Sequence, residues 1–263
     1  MSVVRGASVE DMSNVITVGV LTPHAAAGPD AEFPRMAPAH VRTTVSRIRA
    51  PGDGEPPTSP DGLRALATSA AVDAAAALLP ASVEVLAFAS TSTGYAIGHD
   101  AESALVERLR ERWALPVCAT SPSAVSALRS HHIERISLVH PPWFGDALNR
   151  LGAEYFQNEG FEVVGAHLAD LPDDPDRIDP AKVVEWVSQH VSRRAEAVVV
   201  GGNGFRAARA IHDLEDRVGR LVLEANQVLL WAILEIAGVS VDIHGFGMLF
   251  DAHTERQHVR STT

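Results

Sequence analysis

Short apolar runs alternate along the chain with longer segments whose apolar residues recur at helical spacing. The runs Ile16–Leu21, Val83–Ala89, Leu115–Ala119, Ile136–Val139, Phe161–Ala166, Ala197–Val200 and Leu221–Leu223 read as buried strands. Helices are predicted through His40–Ile48, Gly62–Leu79, about Asp100 to Trp113, and Ser121 to about His131. Further helices hold Leu148, Leu151, Tyr155 and Phe156, begin at Pro180, start near Phe205, and run over Gln227–Ala237. Pro34 and Pro38 limit how early the first helix can begin, Asp61 can cap the second, and Pro80 closes it. Ser121 followed by Pro122 has the form of an N-cap with a first-turn proline. This alternation predicts a doubly wound α/β fold with parallel strands and crossover helices. Ligands of such folds sit beyond the carboxyl ends of the strands.

Four turns lie at that edge: residues 22–28, 90–98, 140–143 and 201–204. They are short, rich in hydroxyl groups or glycine, and nearly uncharged. In AEAVVVGGNGFRAARAI, 195–211, an apolar strand stops at Gly201-Gly202-Asn203-Gly204 before a helix-spaced segment. A glycine turn entering a helix suits an anion, because free N–H groups and the helix dipole both favour negative charge. A tight turn that only needs positive φ explains the glycines equally well. The spacing is neither a dinucleotide fingerprint nor a P-loop, since no Gly-Lys-Ser/Thr follows. Ser90-Thr91-Ser92-Thr93-Gly94 forms a second turn of this kind.

The remaining composition narrows the classes. The chain has 263 residues, of which 46% are hydrophobic and 21% charged, as in a soluble globular protein. A net charge of −11 without a basic patch excludes nucleic acid as a partner. The apolar helix around Val228–Ala237 is too short and too polar to span a bilayer, so no membrane role is expected. One cysteine permits no intrachain disulfide and fits a cytoplasmic protein. Residues 1–14 read as a disordered leader without a signal-peptide core, and Ala50–Pro57 as a flexible loop.

Five segments together carry a family resemblance: VGVLTPHAAAG (18–28), ASTSTGY (89–95), LPVCATSPSAVSALR (115–129), HPPW (140–143) and VVVGGNGFRAARAIHDLE (198–215). In this order they resemble the Asp/Glu racemase superfamily, in its arylmalonate decarboxylase and maleate isomerase branch, from about Ile16 to Ala237. The resemblance implies two pseudo-symmetric doubly wound lobes with parallel sheets and an active-site cleft between them. Residues 15–118 plus 222–240 would form the first lobe, 119–221 the second, and 241–263 a C-terminal tail.

The departures bear on chemistry. The family's two cysteine turns match Ser90 and Gly202, so both family thiols are missing. Ser90 and Ala26 also stand where maleate isomerases have a cysteine and an asparagine. A serine without a neighbouring base is a poor substitute for a thiolate. What the resemblance keeps is a carboxylate cradle, in which the hydroxyls of Thr91 and Ser92 bind substrate and Gly202, Asn203 and Gly204 face them. This would hold an anion by neutral dipoles. Trp143 falls where relatives often have tyrosine.

Replacement acids and bases must come from elsewhere. His24 follows the first strand at the ligand edge and titrates near neutral pH; a surface role is the alternative. His140 precedes two prolines and is a second candidate, with a structural role as its alternative. Tyr95 can close the site with its hydroxyl or pack in the core. His131, His132, His244 and His253 read as surface or tail residues, and no metal-ligand spacing is present. Asp213, Glu215 and Asp216 read as a solvated helix face. Cys118 matches neither cysteine turn and reads as a buried, inert thiol.

The expected function is a cofactor-independent isomerase or lyase acting on a small carboxylate with non-thiol groups. Ser90, His24 and His140 are the catalytic candidates, and Thr91, Ser92, Tyr95, Trp143, Gly202, Asn203 and Gly204 the substrate-binding ones. No metal or cofactor is expected. A small carboxylate is the expected partner, and a homo-oligomer is left open. The alternative is a catalytically silent small-anion binding protein of the same fold.

Overall fold

The computed structural model describes residues 15–25, 27–37, 39–49, 59–239 and 241–250. The leader 1–14, Ala26, Pro38, the loop Ala50–Pro57 and His253 lie outside the described residues.

The chain builds two parallel sheets of four strands each. The first contains β1 (Ile16–Thr22), β2 (Val41–Arg47), β3 (Val85–Phe88) and β4 (Val117–Ala119), in the order β2-β1-β3-β4. The second contains β5 (Arg135–His140), β6 (Glu162–Leu168), β7 (Ala197–Val200) and β8 (Leu221–Glu224), in the order β6-β5-β7-β8. Each half therefore starts in its sheet's interior, steps to one edge and returns across the first strand, giving the same topology twice. The inner strands β3 and β7 are apolar and buried at every position, and β8, at the edge, is also buried throughout. Burial on both faces is what a parallel sheet covered by crossover helices requires.

The crossover helices are α1 (Pro29–Met36), α2 (Pro60–Leu66), α3 (Ser69–Ala76), α4 (Thr91–Ile97), α5 (His99–Trp113) and α6 (Thr120–Ser130) in the first half. The second half has α7 (Gly145–Asn158), α8 (Pro180–His190) and α9 (Ile211–Val218), and α10 (Ala225–Ala237) follows β8. α10 packs on α6 and touches β3 and β4, so it joins the two halves although β8 lies in the second sheet. A lobe boundary at 221/222 would thus pass through β8. The Glu224 carboxylate caps α10 by accepting from Asn226 N at 2.8 Å and Gln227 N at 3.0 Å. The Gln227 side chain accepts in return from Glu224 N at 3.1 Å, completing a capping box.

Several expected elements differ. His40–Ile48 is not a helix but contains β2, paired in register with β1. Val41, Thr43, Thr44 and Val45 are β-branched, and pairing with β1 uses that preference. The helix of this region is α1, with Pro29 in its first turn and Pro34 inside it. Burial of Glu32, Phe33 and Met36 holds it despite the second proline.

The expected helix Gly62–Leu79 is two helices, α2 and α3. Val72 lies nine residues beyond Leu63, half a turn round a straight helix, so the chain bends between them to bury both. Ser59 Oγ, not Asp61, caps α2 by accepting from Gly62 N at 3.2 Å. Ser121 is likewise not a cap; it lies buried inside α6, whose cap position is Ala119. Residues 241–250 are not a tail, because Val241, Ile243, Leu249 and Phe250 enter the core. Glu215 is not on a solvated face either. It is buried, and its carboxylate accepts from Val222 N at 3.0 Å and Met248 N at 2.8 Å. Among the described residues no helix is long and apolar enough to cross a membrane.

Candidate functional site

The carboxyl ends of β1, β3, β5 and β7 deliver His24, Ser90, His140 and Gly201–Gly204, as the parallel topology dictates. The structure groups them unequally. His24 and Ser90 come together: Ser90 Oγ lies 3.3 Å from His24 Nε2. Ser92 Oγ lies 3.5 Å from the same nitrogen and 3.4 Å from Ser90 Oγ. Ser90 is the N-cap of α4; its oxygen accepts from Thr93 N at 3.2 Å, and its hydroxyl donates to Thr93 Oγ1 at 2.7 Å. A serine capping a helix with an imidazole beside it is the base pairing that Ser90 lacked on sequence grounds. Burial lowers the His24 pKa to about 4, with a smaller push from the Arg47 guanidinium. The imidazole is therefore neutral at pH 7 and able to accept a proton.

The two turns expected to face one another touch directly. Thr91 Oγ1 accepts from Gly202 N at 3.2 Å and donates to Asn203 Oδ1 at 3.1 Å, while Thr91 N donates to the same oxygen at 3.1 Å. Asn203 Nδ2 donates to Thr120 Oγ1 at 3.1 Å and to Asn226 Oδ1 at 3.0 Å. Asn226 Nδ2 in turn donates to Asn203 O at 2.9 Å and to Glu32 Oε2. Glu32 Oε1 accepts from Ala208 N at 3.0 Å. Thr91 and Asn203 thus fasten the halves together, and of the Thr91 and Ser92 hydroxyls only that of Ser92 is set beside His24.

The glycine turn does not open a helix. Phe205 N bonds Gly202 O at 2.8 Å, and a single 3-10 turn, Ala208–Ala210, intervenes before α9. Gly202 has φ +99°, and a Cβ there would stand 2.9 Å from Pro141 Cγ, so the position admits no thiol-bearing side chain without strain.

His140 is not brought to the Ser90 cluster. It is fully buried, with Nδ1 2.8 Å from Asn149 Oδ1, Nε2 3.3 Å from Tyr95 OH, and its ring stacked on Phe144. Burial lowers its pKa to about 4. Tyr95 packs among His140, Phe144, Tyr155 and Phe156, so both residues belong to the core. Trp143 meets Phe205 edge-on at 6.0 Å and forms a wall beside Gly204. Cys118 is buried on β4, and desolvation pushes its thiol up to about 12. His132 and His244 are exposed. Among the described residues no group of three or more His, Cys, Asp or Glu could hold a metal ion.

Sequence reasoning missed Glu32, Thr120 and Asn226. The available signal was a polar run, Glu224, Asn226 and Gln227, directly after an apolar strand. Glu32 had none, because its helix went unread.

Three buried carboxylates set a pH response. Burial raises Glu32 to about 7, Glu102 to about 8, and Glu224 well above the usual carboxylate range. Each keeps its proton in the folded protein after the unfolded chain has released it, so its stabilising contribution is full below about 4.5 and lost as pH rises through the folded value. The lowered histidines act in the opposite sense, but only below their unfolded value of 6.5. From about pH 6.5 to 8 the carboxylates act alone, each contributing a slope of about 1.4 kcal/mol per pH unit until it ionises. Calorimetric melting temperature should therefore fall over that interval, and Glu102→Gln should flatten the fall. A melting temperature that rises with pH there would contradict this assignment.

The arylmalonate decarboxylase family model matches residues 18–250. No curated protein matches the chain. Among solved structures, maleate isomerase Iso from Pseudomonas putida S16 is similar with TM-score 0.78 and 21% identity, over 90% of this chain and 98% of that one. Unliganded arylmalonate decarboxylase gives TM-score 0.76 and 21% identity, over 90% and 100%. Maleate cis-trans isomerase of Nocardia farcinica bound to TRIS gives 0.75 and 19%, over 92% and 100%. These likenesses agree with the doubled parallel topology, and the match over residues 18–250 shows that the chain belongs to the arylmalonate decarboxylase family.

Proposed function

We propose that this protein is a cofactor-independent isomerase or lyase acting on a small carboxylate, with His24 and Ser90 as its proton-transfer pair in place of thiols. The observation that supports this is the 3.3 Å approach of Ser90 Oγ to His24 Nε2. The Ser92 hydroxyl holds the substrate carboxylate beside the imidazole, and the single Ser90 proton is kept for transfer. In proton abstraction, the α-carbon C–H proton passes to His24 Nε2 and the electron pair delocalises into the carboxylate. In decarboxylation, the C–C pair stays on the α-carbon, CO2 leaves, Ser90 Oγ gives its proton to that carbon, and the oxygen is reprotonated from water by way of His24. With its pKa near 4 the imidazole is a weak base, and a carboxylate seated beside it opposes the Arg47 charge and raises its basicity.

The test is incubation with maleate and with phenylmalonate in D2O, followed by proton NMR. Isomerisation, CO2 loss or deuterium entry next to the carboxylate supports the enzyme reading. Binding of these acids without any change favours a silent anion-binding protein. Cys118→Ala is expected to retain turnover within about twofold, because its thiol stays protonated and buried. A dead Cys118→Ala beside a fully active His24→Ala would place the chemistry on the thiol.

A further inference from the structure

We infer that Arg47 is an anion anchor of this site, binding a second negatively charged group on a ligand whose reacting carboxylate lies at Ser90 and Ser92. The inference rests on the reading of the site proposed above, and it replaces an expectation that neutral dipoles alone hold the anion.

Arg47 ends β2 in register with Thr22, which ends β1. The ladder continues one step further, with Ile48 N donating to Thr22 O at 2.9 Å. Residues in register on neighbouring parallel strands project to the same side, so Arg47 stands beside the chain that leaves β1. That chain carries His24, whose N–H reaches Thr22 Oγ1 at 3.4 Å. Arg47 is held there from the other side. Its Nη2 meets Asp30 Oδ2 at 3.1 Å, and Asp30 Oδ1 accepts from Gly28 N at 2.7 Å, tying the guanidinium to the far end of the same loop.

The second arm of the fork is idle. Nη1 is shielded from solvent and has no hydrogen-bond partner among the described residues, although the side chain as a whole is 26% exposed. An N–H group in that state has lost water without gaining an acceptor, which costs free energy until an acceptor arrives. A guanidinium can keep one acceptor on Nη2 and present Nη1 to another, which an ammonium on a flexible stem does less well. Arg206, the cation that follows the glycine turn, is instead engaged by Asp176. The Arg47 charge already reaches the site, where it acts on the His24 imidazole.

Titration calorimetry with succinate and butyrate tests the assignment, since the two acids share a chain length and differ by one carboxylate. Wild-type protein should prefer succinate. Arg47→Gln should weaken succinate roughly 10- to 100-fold, the range of a charge-assisted hydrogen bond, and leave butyrate within about twofold. Arg47→Lys should fall between and serves as the deciding variant if Arg47→Gln does not fold. Equal losses for both acids would mean that Arg47 acts only by holding the loop through Asp30, and would overturn the inference. So would unchanged succinate binding, or a wild-type protein without preference. Failure of the wild type to bind either acid would remove the reading of the site together with it. Succinate binding that depends on Arg47, in a protein that turns over no acid, would keep this inference and remove only the enzyme reading.

Discussion

His24→Ala is expected to lower turnover by about 10²- to 10⁴-fold, the usual contribution of a positioned acid or base. Its imidazole is the basic group that the structure places against Ser90 Oγ, at 3.3 Å, and against Ser92 Oγ, at 3.5 Å. Without it the Ser90 hydroxyl keeps only its cap and its bond to Thr93, neither of which accepts a proton at neutral pH. The loop around residue 24 retains its Asp30–Gly28 clip, so the folded state should survive the substitution. The pH profile gives an independent readout. Because burial lowers the His24 pKa to about 4, the neutral form dominates above that value, and kcat/KM should stay level from pH 8 to about 5 before falling. A variant with near-normal turnover, or a wild-type profile that loses activity around pH 6.5, would remove His24 from the mechanism.

Asn203→Ala is expected to be the most destabilising single change at the site, at about 3 kcal/mol, or a melting temperature roughly 6–12 °C lower. The Asn203 side chain is almost wholly buried, and both ends of its amide are engaged. Its oxygen accepts from Thr91 N and Thr91 Oγ1, and its nitrogen donates to Thr120 and Asn226. Truncation leaves those four groups short of partners in a place water does not reach, and each unsatisfied group is costly. These bonds also connect β7's turn to α4, so the variant should lose the positioning of Ser90 along with stability. Thermal melting checks the first effect and ligand binding at low temperature the second. A melting point within about 2 °C of wild type would show that the network is not what joins the halves.

The sequence by itself determined most of the architecture. Fully apolar four-residue strands such as Ala197–Val200 and Val85–Phe88 are legible because burial on both faces leaves no room for alternation. Their carboxyl ends then place Ser90, His24 and the glycine turn on one edge, since topology alone decides that. Local patterns failed where tertiary contacts overrode them. β2 is a half-buried edge strand with polar Thr43, Thr44, Ser46 and Arg47, and only pairing with β1 makes it a strand. Misreading it as helix concealed Arg47 at the ligand edge and α1 with its buried Glu32.

Which polar groups meet was decided by the tertiary structure alone. Thr91 and Asn203 are separated by 112 residues, and Glu32 and Asn226 by 194, so no spacing rule could join them. The same holds for His24 and Ser90, 66 residues apart, whose proximity sets an imidazole beside a capping serine. His140 shows the converse. At the end of its strand it looks like an acid or base for the site, yet Asn149 and Tyr95 occupy both its nitrogens within the core. A sequence states what each side chain can do, whereas burial and partners, set by residues far along the chain, decide what it is free to do.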